Sequence, residues 1–292
     1  MPATPQELLC KSPEWSNCML DTLLLPGLQG LTLEFTGIDH PKQCRDLQHF
    51  DSYAWPVEYC YNSRGFRDQE WPDNPAAAIW CIGDSFTSGV GSTVQHTWPY
   101  VLSQTSGRRT INISMDGASN EWIARRCLDI YNELQPQNIV IMWSYLHRRE
   151  GTAGNTDINR RIYHVKSTVT EDYENFMQCR QRVQDYCTNS NIVELVIPDW
   201  QPALPESGWQ KIRDAKWPQH AKQLTVADQH IIEELTDLHG IDRSMLLEQI
   251  QHQHRVLHNL IEVLQLDLAR DGHHFDRVTA DWVAARVVSQ LR

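Results

Sequence analysis

The sequence predicts an α/β domain built on a parallel sheet, and three observations predict it. Short apolar runs recur from residue 76 onward, segments with helical spacing separate them, and polar, glycine-containing turns follow several of the runs. Runs this short and apolar throughout suit strands buried on both faces. Strand and helix in alternation imply right-handed crossovers between parallel strands.

Residues 1–75 carry short β-like pieces, frequent aromatics and turn signals, notably Tyr61-Asn62-Ser63-Arg64-Gly65-Phe66-Arg67-Asp68, and are expected to form an N-terminal extension packed on a main domain over 76–292. Ala76–Ile82 is the first buried strand, followed by the Gly/Ser-rich turn Gly83–Gly91. Thr97-Trp98-Pro99 starts a helix, with proline near the first position where its missing N–H costs nothing. Thr110–Ser114 is the second strand and Asp116-Gly117 a turn. Ser119 caps a helix over about 120–134, whose Trp122, Ile123, Cys127, Ile130 and Tyr131 fall on one face. Asn138–Trp143 is the third strand. Residues 145–190 read as a polar helical insertion and Ile192–Ile197 as a fourth strand. The stretch 198–222 is a long loop holding Pro198, Pro202, Pro205 and Pro218 beside Trp200, Trp209 and Trp217, a length usual for functional loops. Helices are expected at about 226–239, 243–264 and 278–291, giving a sheet of about five strands.

Composition narrows the function. The net charge of −11, with no dense Lys/Arg cluster, opposes binding of a polyphosphate backbone, so nucleic acid is not expected as a partner. The N-terminus lacks the basic and apolar regions of a signal peptide, and Cys18–Leu31 is interrupted by Asp21, Pro26 and two glycines, so no transmembrane segment is expected and the chain reads as cytoplasmic or otherwise soluble. The eight cysteines show no zinc-site spacing and read as reduced core thiols, although their even number leaves disulfides open. The glycines of 83–93 lack both the P-loop lysine and the GxGxxG spacing. His273 and His274 stand beside Asp271 and Asp276 without further ligands at usual spacing, so no metal is expected.

The candidate chemistry sits in turns that follow strands, the edge where open α/β sheets bind ligands. Gly83-Asp84-Ser85-Phe86 offers a serine on a strand-to-helix turn, where the hydroxyl is exposed and the backbone N–H is free. Serine needs an adjacent base held by a third group. Asp271 and His274, three residues apart before the terminal helix, can supply both: the carboxylate holds Nδ1–H and leaves Nε2 for Ser85. Taken alone, Ser85 and Asp271 read equally well as helix caps.

Three stretches in order resemble the SGNH (GDSL-like) serine hydrolases. Gly83-Asp84-Ser85-Phe86-Thr87-Ser88-Gly89 is similar to the family's nucleophile block. Asn112-Ile113-Ser114-Met115-Asp116-Gly117 is similar to the block whose glycine N–H serves the oxyanion, and Asp271-Gly272-His273-His274 to the block that supplies acid and base. The resemblance covers roughly 76–292. Asn62–Arg67 resembles a stretch found before such domains in some bacterial and viral proteins. The third block departs: where the family has Gly-x-Asn-Asp, this chain has Trp143-Ser144-Tyr145-Leu146-His147-Arg148, with no asparagine. Ser144 or His147 is left to supply that donor, or the hole rests on two backbone donors.

The resemblance implies a three-layer, flavodoxin-like fold and a serine esterase that needs no cofactor. Ser85, His274 and Asp271 form the triad, and the N–H groups of Ser85 and Gly117 bind the oxyanion. Asp84 and, in the Pro-rich loop, Trp200, Trp209 and Trp217 are the candidates to meet substrate, although the loop tryptophans equally suit a loop pinned by its own aromatics. The expected substrate is a small-molecule or glycan ester, with carbohydrate O-acetyl groups first. A lipase, thioesterase or O-acyltransferase is an alternative, and so is a non-catalytic glycan-binding or particle-associated protein on the same scaffold. An open Ser85 separates the enzyme from the retired scaffold, in which Trp143, Tyr145 or the 198–222 loop would plug the site.

Overall fold

The computed structural model describes residues 23–44, 46–146, 148–150, 169–198, 220–221, 255–257 and 260–292. Strand β1 (Thr32–Leu33) and β2 (Tyr59–Cys60) pair antiparallel, with helix α1 (Leu47–Ser52) between them. Then follow β3 (Ile79–Gly83), the single turn α2 (Ser85–Ser88), α3 (Trp98–Ser106), β4 (Thr110–Ser114), α4 (Asn120–Leu134), β5 (Asn138–Trp143), α5 (Val169–Tyr186) and β6 (Asn191–Val196). Short strands β7 (His220–Ala221), β8 (Arg255–Leu257) and β9 (Leu260–Glu262) precede α6 (Arg277–Val288).

The main sheet runs β4-β3-β5-β6-β9-β8-β7. Its first five strands are parallel, and β8 and β7 close one edge antiparallel. From β3 the chain crosses to β4 on one side, then passes back over β3 to reach β5. With right-handed crossovers, that reversal puts α3 and α4 on opposite faces. The helix pairs agree: α6 packs on α3, and α5 on α4. The result is three layers, in the doubly wound strand order whose ligand site falls where the order reverses, at the carboxyl end of β3.

All residues of β3, β4 and β5 are buried, which explains their unbroken apolar runs. Trp80, Trp98 and Trp143 are fully buried and Trp122 nearly so, with the Trp80 indole N–H donating to Pro75 O and that of Trp143 to Glu194. The N-terminal stretch shares this core, because Leu23, Leu25 and Phe66 belong to the same cluster as the sheet.

Two expectations need amendment. The helix expected over 243–264 does not extend through its end, since 255–257 and 260–262 are strands. The helix expected at 226–239 lies outside the described residues. In the 145–190 region, the described part holds one helix, α5.

Candidate active site

Gly83 ends β3 and Asp84 caps the next turn, its Oδ1 accepting the Phe86 N–H at 3.0 Å. This cap aims Ser85, the first residue of α2, at the sheet edge. Strand β4 lies beside β3 with Gly83 opposite Ser114, and Met115 N–H donates to Gly83 O at 3.2 Å. The Asp116-Gly117 turn therefore neighbours the Ser85 turn. Gly117 holds a left-handed φ of 71°. Among the described residues, neither the Ser85 nor the Gly117 N–H donates within the fold.

The third stretch comes from just before α6. His274 Nε2 lies 2.8 Å from Ser85 Oγ, and His274 Nδ1 lies 2.6 Å from Asp271 Oδ2. Asp271 Oδ1 also accepts the N–H groups of His273 and His274, both at 3.1 Å. Burial pushes the Asp271 carboxyl up, but the hydrogen bond and charge of His274 and the two N–H groups outweigh it and hold it below the usual carboxylate value. An ionised Asp271 can only accept, so Nδ1 carries the proton and Nε2 keeps its lone pair for the serine hydroxyl. All three side chains are shielded: Ser85 is 1% exposed, Asp271 1% and His274 2%. Phe86 packs its ring on His274 at 4.5 Å and meets Tyr145 edge-on. Of the residues expected to plug a retired site, Trp143 faces the core against Phe176 and Glu194 instead.

Asp84 is 0% exposed, and its Oδ2 accepts from Ser144 Oγ and Arg148 Nη1, each at 2.6 Å. It braces the turn from within and has no surface to offer a substrate. Ser144 spends its hydroxyl on Asp84 and its N–H on Asn120 Oδ1, at 2.9 Å. Both of its donors are thus engaged, so it cannot serve as an oxyanion donor in this arrangement. His147, Trp200 and Trp209 lie outside the described residues, as does Trp217. Asp276 does not join His273 in a ligand cluster, since it accepts from Tyr53 Oη at 2.6 Å and lies 2.8 Å from His96 Nδ1.

Residues without a motif signal also shape the site. Asn120 holds the loop after β5, its Nδ2 donating to the Ser144 and Tyr145 carbonyls. In the sequence it reads only as the start of a helix. Arg148 neutralises the buried Asp84. Arg67, wholly interior, donates to the carbonyls of Ser88, Gly89 and Ser92 at 3.1, 2.6 and 2.7 Å. Its only signal is its place in the Asn62–Arg67 stretch.

No family model matches the chain, and no curated protein does. The solved structures it resembles include proteins described as GDSL-type lipolytic proteins and carbohydrate esterases. A protein described as a lipolytic member of the G-D-S-L family, from Desulfitobacterium hafniense, is 16% identical with a TM-score of 0.30, over 48% of this chain and 74% of its own. A carbohydrate esterase family 2 enzyme with a carbohydrate-binding domain, from Corynascus thermopiles, is 14% identical with a TM-score of 0.36, over 76% of this chain and 67% of its own. A protein described as a GDSL-like lipase from Parabacteroides merdae is 14% identical with a TM-score of 0.33, over 75% and 98%.

Proposed function

We propose that this protein is a serine ester hydrolase working through an acyl-enzyme, with Ser85 as nucleophile, His274 as base and Asp271 as its orienting group. One observation carries the reading: hydroxyl, imidazole and carboxylate stand in series at 2.8 and 2.6 Å, at the carboxyl end of β3. In the reaction Ser85 Oγ attacks the ester carbonyl while its proton passes to His274 Nε2. The Ser85 and Gly117 N–H groups receive the charge of the tetrahedral oxygen. His274 then protonates the departing alcohol, and water repeats the sequence to release the acid. Asp271 stays ionised throughout and stabilises the imidazolium.

With Ser144 engaged by Asp84 and Asn120, the hole rests on two backbone donors among the described residues. One missing donor costs about 10²–10³ in rate, so slow turnover is expected. Ser85 is not open as expected of the enzyme, so an ester that reaches it must carry a short acyl group. This agrees with an O-acetyl ester of a carbohydrate as substrate.

The test is labelling with a fluorophosphonate probe, comparing wild type with Ser85→Ala. An adduct on Ser85 in wild type alone supports the reading, whereas equal labelling of both proteins, or of neither, removes it. A non-catalytic protein on the same scaffold is the second reading. It is favoured by the 1% exposure of Ser85 and the spent donors of Ser144, and predicts no adduct.

A further inference from the structure

Between the nucleophile turn and the acid–base turn runs a closed circuit of buried hydrogen bonds. Gly91 N–H donates to Tyr59 Oη at 2.7 Å, and Tyr59 Oη donates to Asp39 Oδ2 at 2.5 Å. The Arg270 guanidinium grips Asp39 with Nε on Oδ1 at 2.6 Å and Nη2 on Oδ2 at 2.7 Å. Arg270 N–H returns to Gly91 O at 3.1 Å and closes the ring. Gly91 lies on the loop leaving α2, in which Gly89 and Val90 both donate to Ser85 O. Arg270 directly precedes Asp271. The circuit thus joins the loop that holds the nucleophile to the turn that holds its base, through two residues of the N-terminal stretch.

The circuit is shielded from solvent. Asp39 and Tyr59 are 0% exposed. Burial would lower the Arg270 guanidinium, but Asp39 outweighs it and raises it above its ordinary value, so the guanidinium stays charged. Such charge-assisted, two-pronged bonds are directional as well as strong. Arg67 lies over the Tyr59 ring at 4.2 Å while clamping the carbonyls of Ser88, Gly89 and Ser92, so it steadies the same loop from the other side.

We infer that Tyr59 and Asp39 are positioning residues for the proposed reaction: they set the distance between Ser85 Oγ and His274 Nε2 by tying residue 91 to residue 270. This rests on the hydrolase reading and extends it to the N-terminal stretch, which becomes part of the working site. A displaced nucleophile slows chemistry without altering what is bound, because attack requires near-contact geometry.

The experiment measures fluorophosphonate inactivation in the full chain, separating the limiting rate kinact from the half-saturating concentration KI. Tyr59→Phe keeps the ring and removes only the hydroxyl. Its kinact should fall about 10-fold or more with KI within about 2-fold, and the adduct should remain on Ser85. Ile139→Val, a core trim in β5 of comparable cost, should leave kinact unchanged. A purely structural role for Tyr59 would make the two variants behave alike. Arg270→Lys, which keeps the charge but not the two-pronged grip, is the second variant should Tyr59→Phe fail to fold. Wild-type kinact in whichever variant folds overturns the inference and leaves the hydrolase reading standing. A wild-type protein that takes no label overturns both.

Discussion

Asp271 illustrates how much one residue can settle. Its carboxylate takes the His274 ring N–H and two backbone N–H groups, so the turn that aims His274 also fixes its tautomer. Asp271→Asn keeps the shape but can present an NH₂ to Nδ1, favouring the wrong tautomer. By comparison with other triads, we expect labelling of Ser85 to slow by about 10⁴, with the denaturation midpoint lowered at neutral pH. The same carboxylate sets an acid limit. Its folded pKa lies below the unfolded value, so its contribution is present above about pH 4 and is lost as pH falls through the folded pKa. Denaturant titrations of wild type and Asp271→Asn should therefore converge as pH drops below that point. This part of the site was legible because Asp271 and His274 lie on one turn and Ser85 follows a recognisable strand. Asp39, Tyr59 and Arg270 were not, because Asp39 and Arg270 pair across more than two hundred residues and none of the three has a local pattern.

At the scale of elements, the loop after α2 shows what glycine permits. Gly91 has φ of 80°, and a Cβ there would stand 2.9 Å from the Ala269 side chain and 3.0 Å from Asp271 Oδ1. Gly91→Ala should cost about 1–3 kcal/mol from the backbone alone, read by urea unfolding, and should slow labelling further because Asp271 must shift. Strand β4 lies at the sheet edge, and its outward Asn112 N–H donates to Asp68, which also pairs with Arg109. Burial, only partly offset by Arg109, raises the Asp68 carboxyl to about 6. Between about pH 4 and that value the folded chain holds a proton the unfolded chain has lost, so this group makes stability fall as pH rises. The penalty is at most about 3 kcal/mol. Asp68→Asn should flatten that slope when stabilities at pH 4 and pH 7 are compared. The parallel strands and helices α3, α4 and α6 were readable from periodicity. The β8–β9 pair was not: Val256, Leu257, Leu260, Ile261 and Leu264 recur at three- and four-residue spacing, which fits a helix face as well as two short strands.

Across the whole molecule, buried ion pairs tie layers together more than they add stability. Glu194 on β6 is 6% exposed and accepts from Arg180 on α5, from Gln184 and from the Trp143 indole. Removing one partner of such a pair strands the others, so Glu194→Ala should cost about 3–5 kcal/mol, measured by guanidinium unfolding, with the labelling rate of the folded fraction unchanged. The architecture was legible because strand order follows from handedness once the strands are found. The sharing of one core by Leu23, Leu25, Phe66 and the sheet was not, since apolar residues in an irregular stretch do not announce their neighbours.

Asp39 meets Arg270 across 231 residues of chain. During synthesis the nucleophile turn and its N-terminal brace emerge early, yet neither can reach its final form until Arg270 and His274 have emerged to meet Asp39 and Ser85. Contacts this distant in sequence slow the search for the native state. On the proposed mechanism, a nascent chain carrying Ser85 without His274 is inert. Ester-cleaving chemistry of the kind proposed would then begin only after the polypeptide has closed on itself, which delays activity until folding is complete.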